Sequence, residues 1–201
     1  MSVVIKAATQ DQADKVLSTT LLAFSADPFV RWAIKDSHQY LTRYSQLFKV
    51  SINTAISHNA AYFSAGFSGT AVWFPPSVYA EDQHIVSAIE DLGPCSLKEL
   101  MVESFEKFLS YHPQEPHWYM PFMGVDPNFQ GQGIGSSLLR HSLYECDRTQ
   151  RLAYLEASSE RNVLFYERHG FTVIGEYHVG NSPKLYPMIR ESLKKPLLGS
   201  G

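Results

Sequence analysis

Three glycines at alternate positions, Gly131, Gly133 and Gly135, lie between an apolar stretch that ends at Val125 and an amphipathic segment. This pattern predicts a strand, a tight polar turn and a helix that begins among glycines. The first N–H groups of a helix have no partner within it, and they lie at the positive end of the helix dipole. The run therefore predicts a binding site for a phosphate-bearing ligand.

Several kinds of glycine-rich loop fit part of this pattern. A flexible turn that needs glycine only for its geometry is one alternative. A P-loop is excluded, because no Lys-Ser or Lys-Thr follows at the required offset. A dinucleotide-binding turn is a further alternative, since Glu156 lies where a ribose-binding acid would be expected. Against it, Ser136 stands in place of the third glycine, and residues 126–130 separate the strand from the first glycine.

Composition narrows the class of protein. The 201 residues are 44% hydrophobic, which fits one folded domain over 1–201. The net charge of −3 and the lack of a basic run argue against a nucleic-acid partner. The two cysteines have no CxxC spacing, and the eight histidines form no metal-binding motif. We expect a cytoplasmic protein, monomeric or homodimeric, without a signal peptide, a membrane segment or a bound metal.

The hydrophobic pattern alternates between strand and helix periods along the chain. A first helix is expected after an N-cap at Thr9 and ends before Pro28. Pro121 lies inside a predicted strand and should cause a bulge or a splay, and Gly170 should form a left-handed helix C-cap. A mixed sheet with helices on both faces follows. Further predicted strands cover 3–8, 60–64, 69–74, 117–125, 152–157, 172–177 and 185–190, and further helices cover 40–58, 81–92, 96–109, 135–149 and 161–169.

The segment Gln130–Gly135 matches the Gln/Arg-x-x-Gly-x-Gly/Ala signature of the GNAT superfamily of N-acetyltransferases. Together with the strand before it, Tyr154–Ser158 and the Tyr-x-x-x-Gly-Phe ending of Asn162–Phe171, the chain resembles this family over about residues 117–190. The resemblance implies an α/β (α+β) GNAT fold, with a mixed, mostly antiparallel sheet of six to seven strands and a splayed central pair. Shorter segments, among them Ala71–Pro76, loosely resemble the subgroup that contains puromycin N-acetyltransferase.

The resemblance also implies acetyl-CoA as the acetyl donor and assigns roles to residues of this chain. The glycine loop would hold the pyrophosphate, and the strand before it, bulged at Gly124, would pair with the pantetheine arm. Asn162 would contact the same arm, although it could instead serve only as a helix N-cap. Tyr166 would protonate the leaving thiolate, with a core tyrosine as the alternative. The implied cofactor-binding residues are Met123, Gly124, Val125, Gln130, Gly131, Gln132, Gly133, Ile134, Gly135, Ser136, Asn162, Phe165 and Tyr166.

The acceptor side of the site is less specified. The reaction needs a neutral amine, so a base must remove a proton, and Glu156 and His117 are candidates. Asp27 could attract a cationic amine, or it could be only a turn residue before Pro28. The candidate acceptor-binding residues are Asp27, Phe29, Trp32, Tyr40, Tyr44 and Trp73.

The expected activity is transfer of acetyl from acetyl-CoA to a primary amine, on a small molecule, by direct attack in a ternary complex. Cys146 lies on the predicted core face of its helix, which disfavours a covalent acetyl-cysteine route. Two alternatives stay open. One is a CoA-binding regulatory or interaction module without turnover, and the other is an acetyltransferase for protein or peptide amines.

Overall fold

A seven-stranded sheet runs through the computed structural model, which describes residues 3–78 and 95–193. The predicted helix over 81–92 lies outside these ranges. The strand order is β1-β2-β3-β4-β5-β7-β6, and all neighbours are antiparallel except β4 and β5. The predicted mixed, mostly antiparallel sheet is confirmed. The strands are β1 (Ile5–Ala7), β2 (Ala61–Ser64), β3 (Gly69–Phe74), β4 (Trp118–Val125), β5 (Ala153–Ala157), β6 (Thr172–Val173) and β7 (Tyr186–Arg190).

Helices cover both faces of the sheet. Thr9 forms the predicted N-terminal cap, a capping box with Gln12, and a short 3-10 turn leads from it into the first helix. The predicted helix over 40–58 is one helical path from Ser37 to Ser57, interrupted by a π-helical turn at Tyr40–Tyr44. The α-helices are α1 (Ala13–Phe24), α2 (Pro28–Ala33), α3 (Ser37–Gln39), α4 (Ser45–Ser57), α5 (Cys95–Tyr111), α6 (Ile134–Thr149) and α7 (Glu160–Glu167).

Strands β4 and β5 pair only at their beginnings. Their parallel register joins Trp118 with Ala153 and Tyr119 with Tyr154, and no further pair follows. Both strands continue, β4 to Val125 and β5 to Ala157, so they diverge beyond these two pairs. This divergence is the splayed central pair that the family resemblance implied.

The bulge in β4 lies at Met120–Pro121, where two residues face the single Trp73 of β3. Proline has no N–H to donate to the ladder, so the sequence prediction of an irregularity there is confirmed. The prediction that Gly124 supplies the bulge is wrong, because Gly124 pairs in regular register with Thr70. Gly124 instead allows close packing: a Cβ atom there would overlap the Cβ of Ala23 on α1.

The C-terminal hairpin is shorter than predicted. Strand β6 ends at Val173, and only an isolated bridge between Tyr177 and Leu185 continues the pairing. Gly175 lies against the ring of Tyr111 at the end of α5, where any side chain would collide with that ring. Helix α5 thus packs on the segment where the strand would have continued. Gly170 has a φ of +88° after α7, and its predicted left-handed conformation is confirmed.

Gly124→Ala should destabilise the fold by roughly 1–3 kcal/mol, because the added methyl group overpacks the contact between α1 and β4. Ala23→Gly alone should cost about 1 kcal/mol through lost helix propensity. Combining the two moves one methyl group from the helix to the strand, so the double variant should be more stable than Gly124→Ala alone. Urea unfolding of all four proteins measures this, and additive losses in the double variant would contradict it.

Candidate functional site

The glycine loop leads into the N-terminus of α6 as an open cradle of backbone donors. The N–H groups of Ile134, Gly135 and Ser136 form no hydrogen bond within the described residues, and the helical ladder begins with Ser137 N donating to Gly133 O at 3.0 Å. Gly131 and Gly133 have φ of +76° and +78°, which side-chain-bearing residues rarely adopt, and open space surrounds both positions. This geometry suits an anionic group such as a pyrophosphate.

Three polar side chains flank this cradle. Gln130 turns back to β4, and its Nε2 donates to Val125 O at 3.2 Å, so it fixes the start of the loop. Gln132 and Ser136 line a surface cleft that also contains Arg140, the cation one turn further along α6. The loop therefore combines free N–H donors with a nearby positive charge, and both favour a phosphate-bearing ligand.

The diverging strands continue from the loop toward the centre of the sheet. Residues 121–125 of β4, including Met123 and Val125, are half-buried, although the flanking strand β3 is completely buried. Their backbone pairs with β3 on one side, and beyond Tyr119 it has no ladder partner in β5 on the other. Such an open edge can accept an extended, amide-bearing chain by β-type hydrogen bonds.

Asn162, Ser158 and Asp27 form a hydrogen-bonded chain that connects the end of β5 with α2. Asn162 Nδ2 donates to Ser158 Oγ at 3.2 Å, and Ser158 Oγ donates to Asp27 Oδ2 at 2.5 Å. Asp27 Oδ1 accepts the N–H of Val30 at 3.0 Å, which makes Asp27 the N-cap of α2. Burial raises the pKa of Asp27, and these hydrogen bonds offset only part of the effect. Both carboxylate oxygens are thus already occupied by structural partners.

Tyr166 lies on α7 with its ring 8% exposed, packed against Phe165 and Phe171. Its hydroxyl makes no hydrogen bond to any described residue. Burial raises the pKa of Tyr166, with a smaller contribution from the charge of Asp27, so the phenol keeps its proton at neutral pH. The Phe165 ring also lies 3.5 Å from the position that a Cβ of Gly135 would occupy, so α7 packs against the glycine loop.

Glu156 is buried on β5 at the point where β4 and β5 diverge. Tyr119 OH donates to its Oε2 at 3.2 Å, and Nε2 of His112 lies 3.8 Å from its Oε1. The Tyr154 hydroxyl is close to the same carboxyl without reaching hydrogen-bond geometry. Burial raises the pKa of Glu156 to about 8, and the hydroxyl groups of Tyr154 and Tyr119 lower it only in part. The other candidate base, His117, is 7% exposed and packs behind His112 at a ring distance of 5.3 Å.

The expected acceptor residues separate into two groups. Phe29 and Trp32 form a half-buried ring pair on α2, and Tyr40 and Tyr44 stack beside it under the electrostatic influence of Asp27. Trp73 does not join them. It is 1% exposed and packs with Trp118 and Met120 on the opposite face of the sheet. The expectation that Trp73 binds the acceptor is therefore corrected.

Sequence reasoning missed four residues of this site: His112, Tyr119, Tyr154 and Ser158. Tyr154 could have been found, because alternation along β5 places Tyr154 and Glu156 on the same face. His112 lies in the connection after α5, and no local pattern relates it to Glu156.

Three further features of the described residues concern the Cys146 thiol, possible metal ligands and the length of the helices. Cys146 is completely buried on α6, and burial raises the pKa of its thiol to about 12, which leaves it unreactive. Within residues 3–78 and 95–193, no cluster of three or more His, Cys, Asp or Glu side chains could hold a metal ion. The helices of the same ranges also lack one with the length and apolar character needed to cross a bilayer.

Comparison with known proteins agrees with this geometry. A family model described as an acetyltransferase (GNAT) domain matches residues 79–173. A mycothiol acetyltransferase from Propionibacterium freudenreichii subsp. shermanii is 39% identical over 64 residues, which are 30% of this chain and 20% of that enzyme. The match thus spans about a fifth of the length of that relative.

Solved structures match over nearly the whole chain. A Corynebacterium glutamicum protein described as histone acetyltransferase HPA2 and related acetyltransferase superposes with a TM-score of 0.71 at 24% identity, covering 98% of this chain and 100% of that one. Arylalkylamine N-acetyltransferase 2 from Aedes aegypti gives a TM-score of 0.69 at 16% identity, with 95% and 99% covered. These likenesses establish the fold.

The signature loop, the splayed strands, the family match and the shared fold agree with one another. Residues 79–173 therefore match a GNAT acetyltransferase domain, and the described part of the chain has the fold of the solved acetyltransferases.

Proposed function

We propose that this chain transfers the acetyl group of acetyl-CoA to a primary amine of a small molecule, by direct attack in a ternary complex. The observation that carries the proposal is the position of Glu156: a buried carboxyl, at the divergence of β4 and β5, whose pKa is raised to about 8 by burial. The domain would be a single unit over residues 1–201, with the acetyl-CoA-binding core at about 117–190.

The donor side would be held by three parts of the chain. The free N–H groups of Gly131–Ser136 would bind the pyrophosphate, with Gln130 fixing the loop. The open edge of β4 at Met123–Val125 would hydrogen-bond to the amides of the pantetheine arm. Asn162 would contact the same arm with the amide atoms that Ser158 does not use, and Phe165 would support the loop. When bound, acetyl-CoA supplies an acetyl group activated as a thioester.

Glu156 would act as the proton acceptor. A primary ammonium has no lone pair, so it must lose a proton before its nitrogen can attack, and Glu156 as a carboxylate can take that proton. Tyr166 would donate a proton to the departing thiolate, and the nitrogen loses its second proton as the amide forms. Of the two protons lost by the nitrogen, one ends on the thiol of CoA and the other leaves to solvent.

The acceptor would be a cationic amine with an apolar or aromatic body. No described Lys or Arg forms an ion pair with Glu156, so an arriving ammonium would supply the missing counter-charge. The ring pair of Phe29 and Trp32, with Tyr44 behind it, would enclose the rest of the molecule. Asp27 is less suited to bind the cation, because its oxygens cap α2 and bind Ser158. The likeness to an arylalkylamine N-acetyltransferase supports an acceptor of this class.

A thiol-release assay with acetyl-CoA and a panel of arylalkylamines, polyamines, amino sugars and peptides should give turnover with small amines. Release with peptides alone would favour a protein or peptide acceptor. Acetyl-CoA binding by calorimetry without release for any amine would favour a regulatory module without turnover.

Tyr166→Phe should lower kcat by roughly 10²-fold or more and leave acetyl-CoA affinity nearly unchanged, because it removes only the proton donor. Tyr62→Phe is the matched control, since Tyr62 is also a buried tyrosine but lies on β2, a strand that carries none of the proposed catalytic residues. Steady-state kinetics and calorimetry on both variants separate turnover from binding. Equal kcat in Tyr166→Phe and the wild type would remove this residue from the mechanism.

The pH profile of kcat/KM for the amine should be bell-shaped. Glu156 must be a carboxylate, so the rate should rise with pH up to a pKa of about 8 and stay level above it. It should fall again near about 10, where the amine loses its own proton and no longer binds as a cation. Glu156→Gln should lower the rate at pH 8 by roughly 10²–10⁴-fold and abolish the limb near 8. If the profile of Glu156→Gln kept the same acidic limb near pH 8 as the wild type, that limb would belong to another group.

A further inference from the structure

Two buried polar atoms face each other beside the proposed site. Nε2 of His112 and Oε1 of Glu156 lie 3.8 Å apart, and neither has another hydrogen-bond partner among the described residues. The side chains are 11% and 10% exposed. Buried polar atoms in folded proteins are almost always hydrogen-bonded, so a pair of unbonded neighbours calls for an explanation. A movement of about 1 Å would bring the two atoms to hydrogen-bond distance.

Aromatic rings enclose the imidazole of His112 beside Glu156. It packs on Phe108 from α5 at a centroid distance of 4.2 Å, on Tyr154 at 4.4 Å and on Tyr119 at 4.9 Å. These contacts fix the plane of the imidazole and keep water from its inner edge. Within this aromatic enclosure its Nε2 has no hydrogen-bond partner, and Oε1 of Glu156 lies 3.8 Å from it.

The other titratable groups around Glu156 are weak alternatives as partners for Oε1. Tyr119 on β4 already donates to Oε2, and the buried Tyr154 hydroxyl on β5, which also has no hydrogen-bond partner, lies near the same carboxyl and lowers its pKa. His117, before β4, uses its Nδ1 on the carbonyl of Glu115. Tyr111 at the end of α5 donates its hydroxyl to the carbonyl of Glu176, and Tyr177 after β6 forms no side-chain hydrogen bond with Glu156. His112 differs from these groups because its unbonded Nε2 lies 3.8 Å from Oε1 itself.

A hydrogen bond between these atoms requires one proton. A neutral carboxyl can donate it to a neutral imidazole, or an imidazolium can donate it to a carboxylate; without a proton, both atoms are acceptors. Burial favours the uncharged arrangement, since it raises the pKa of Glu156 to about 8 and lowers the pKa of His112 to about 4, where the charge of His117 lowers it further. In either arrangement the pair carries a single proton at neutral pH, and its titration belongs to both residues.

We propose that His112 is a positioning residue for Glu156, holding its carboxyl through one proton shared between Nε2 and Oε1. This inference rests on the proposed role of Glu156 as proton acceptor. The shared proton must leave to solvent before Glu156 becomes a carboxylate. Glu156 then takes one proton from the ammonium, which returns the pair to its one-proton state and leaves a neutral amine. His112 thus influences the pH at which Glu156 becomes a carboxylate, and it orients the carboxylate oxygens.

Two substitutions at position 112 distinguish this role from simple packing. His112→Phe keeps the ring contacts and removes the hydrogen-bond partner. It should shift the acidic limb of kcat/KM downward by about one pH unit, because the protonated carboxyl loses its acceptor, and lower kcat about tenfold. His112→Gln removes the ring but keeps a polar partner, and should lie closer to the wild type in its acidic limb. KM for acetyl-CoA should be unchanged in both variants.

If His112 served only for packing, the order would be reversed: the acidic limb and kcat of His112→Phe would be closer to those of the wild type than the values of His112→Gln. An unshifted limb and an unchanged kcat in His112→Phe would overturn the proposal. Thermal unfolding with and without acetyl-CoA checks that both variants fold and retain the donor site.

A titration that does not depend on turnover separates this inference from the proposed function. Infrared difference spectroscopy follows the carboxylic acid band of Glu156, assigned by its loss in Glu156→Gln. The proposal expects the pH midpoint at which this band disappears to be lower in His112→Phe than in the wild type. If this midpoint is unchanged in His112→Phe while Glu156→Gln is inactive, the pairing is wrong and the base assignment stands. If the midpoint is lower in His112→Phe while Glu156→Gln keeps full activity, the pairing stands and the base assignment is wrong.

Discussion

The parallel pairing between β4 and β5 ends after two residue pairs, and the candidate site depends on that short pairing. A continuous ladder would satisfy the backbone of β4 on both sides and close the centre of the sheet. Because the strands diverge, β4 keeps an open edge from Met120 to Val125, next to the donors of the glycine loop. Unpaired backbone groups in the interior of a protein are costly, and the proposed pantetheine arm would pair with those of this edge.

The same divergence explains the chemistry of Glu156. A carboxyl on a central strand is normally excluded, because burying a charge without a counter-ion is costly. Here the opening gives the side chain room, while tyrosine and histidine rings surround it instead of cations. The carboxyl therefore stays protonated near neutral pH and ionises near 8. A base with a pKa close to the working pH combines a usable fraction of carboxylate with enough basicity to accept a proton.

Much of the architecture could be predicted from local patterns. The alternation of β5, Pro121 in β4, the left-handed Gly170 and the loop before α6 each follow from a property of a few neighbouring residues. The bulge was misplaced at Gly124 because a glycine in a strand can mark either a bulge or a close approach, and only the packing of α1 decides between them.

Other features depend on contacts that no local pattern contains. All six residues of β3 are buried, so its sequence carries no polar alternation to show which face Trp73 occupies. His112 meets Glu156 only because α5 packs across the C-terminal segment, where Lys107 Nζ donates to the carbonyl of His178 at 2.9 Å. Tertiary contacts of this kind decide the acidity of the site, and the sequence specifies them only through the complete fold.

The two acidic residues on the acceptor side show why burial alone does not identify a functional carboxylate. Burial raises the pKa of both Asp27 and Glu156. Asp27 accepts hydrogen bonds at both oxygens, from Val30 N–H and Ser158 Oγ, and so holds α2 against the end of β5. Glu156 has one oxygen without a partner. An incoming ammonium would have to displace structural bonds at Asp27, whereas at Glu156, once the proton shared with His112 has left, it would meet a carboxylate oxygen that holds no other part of the fold. The cost of breaking existing hydrogen bonds therefore favours Glu156 as the residue that meets the amine, with Asp27 holding the wall beside it.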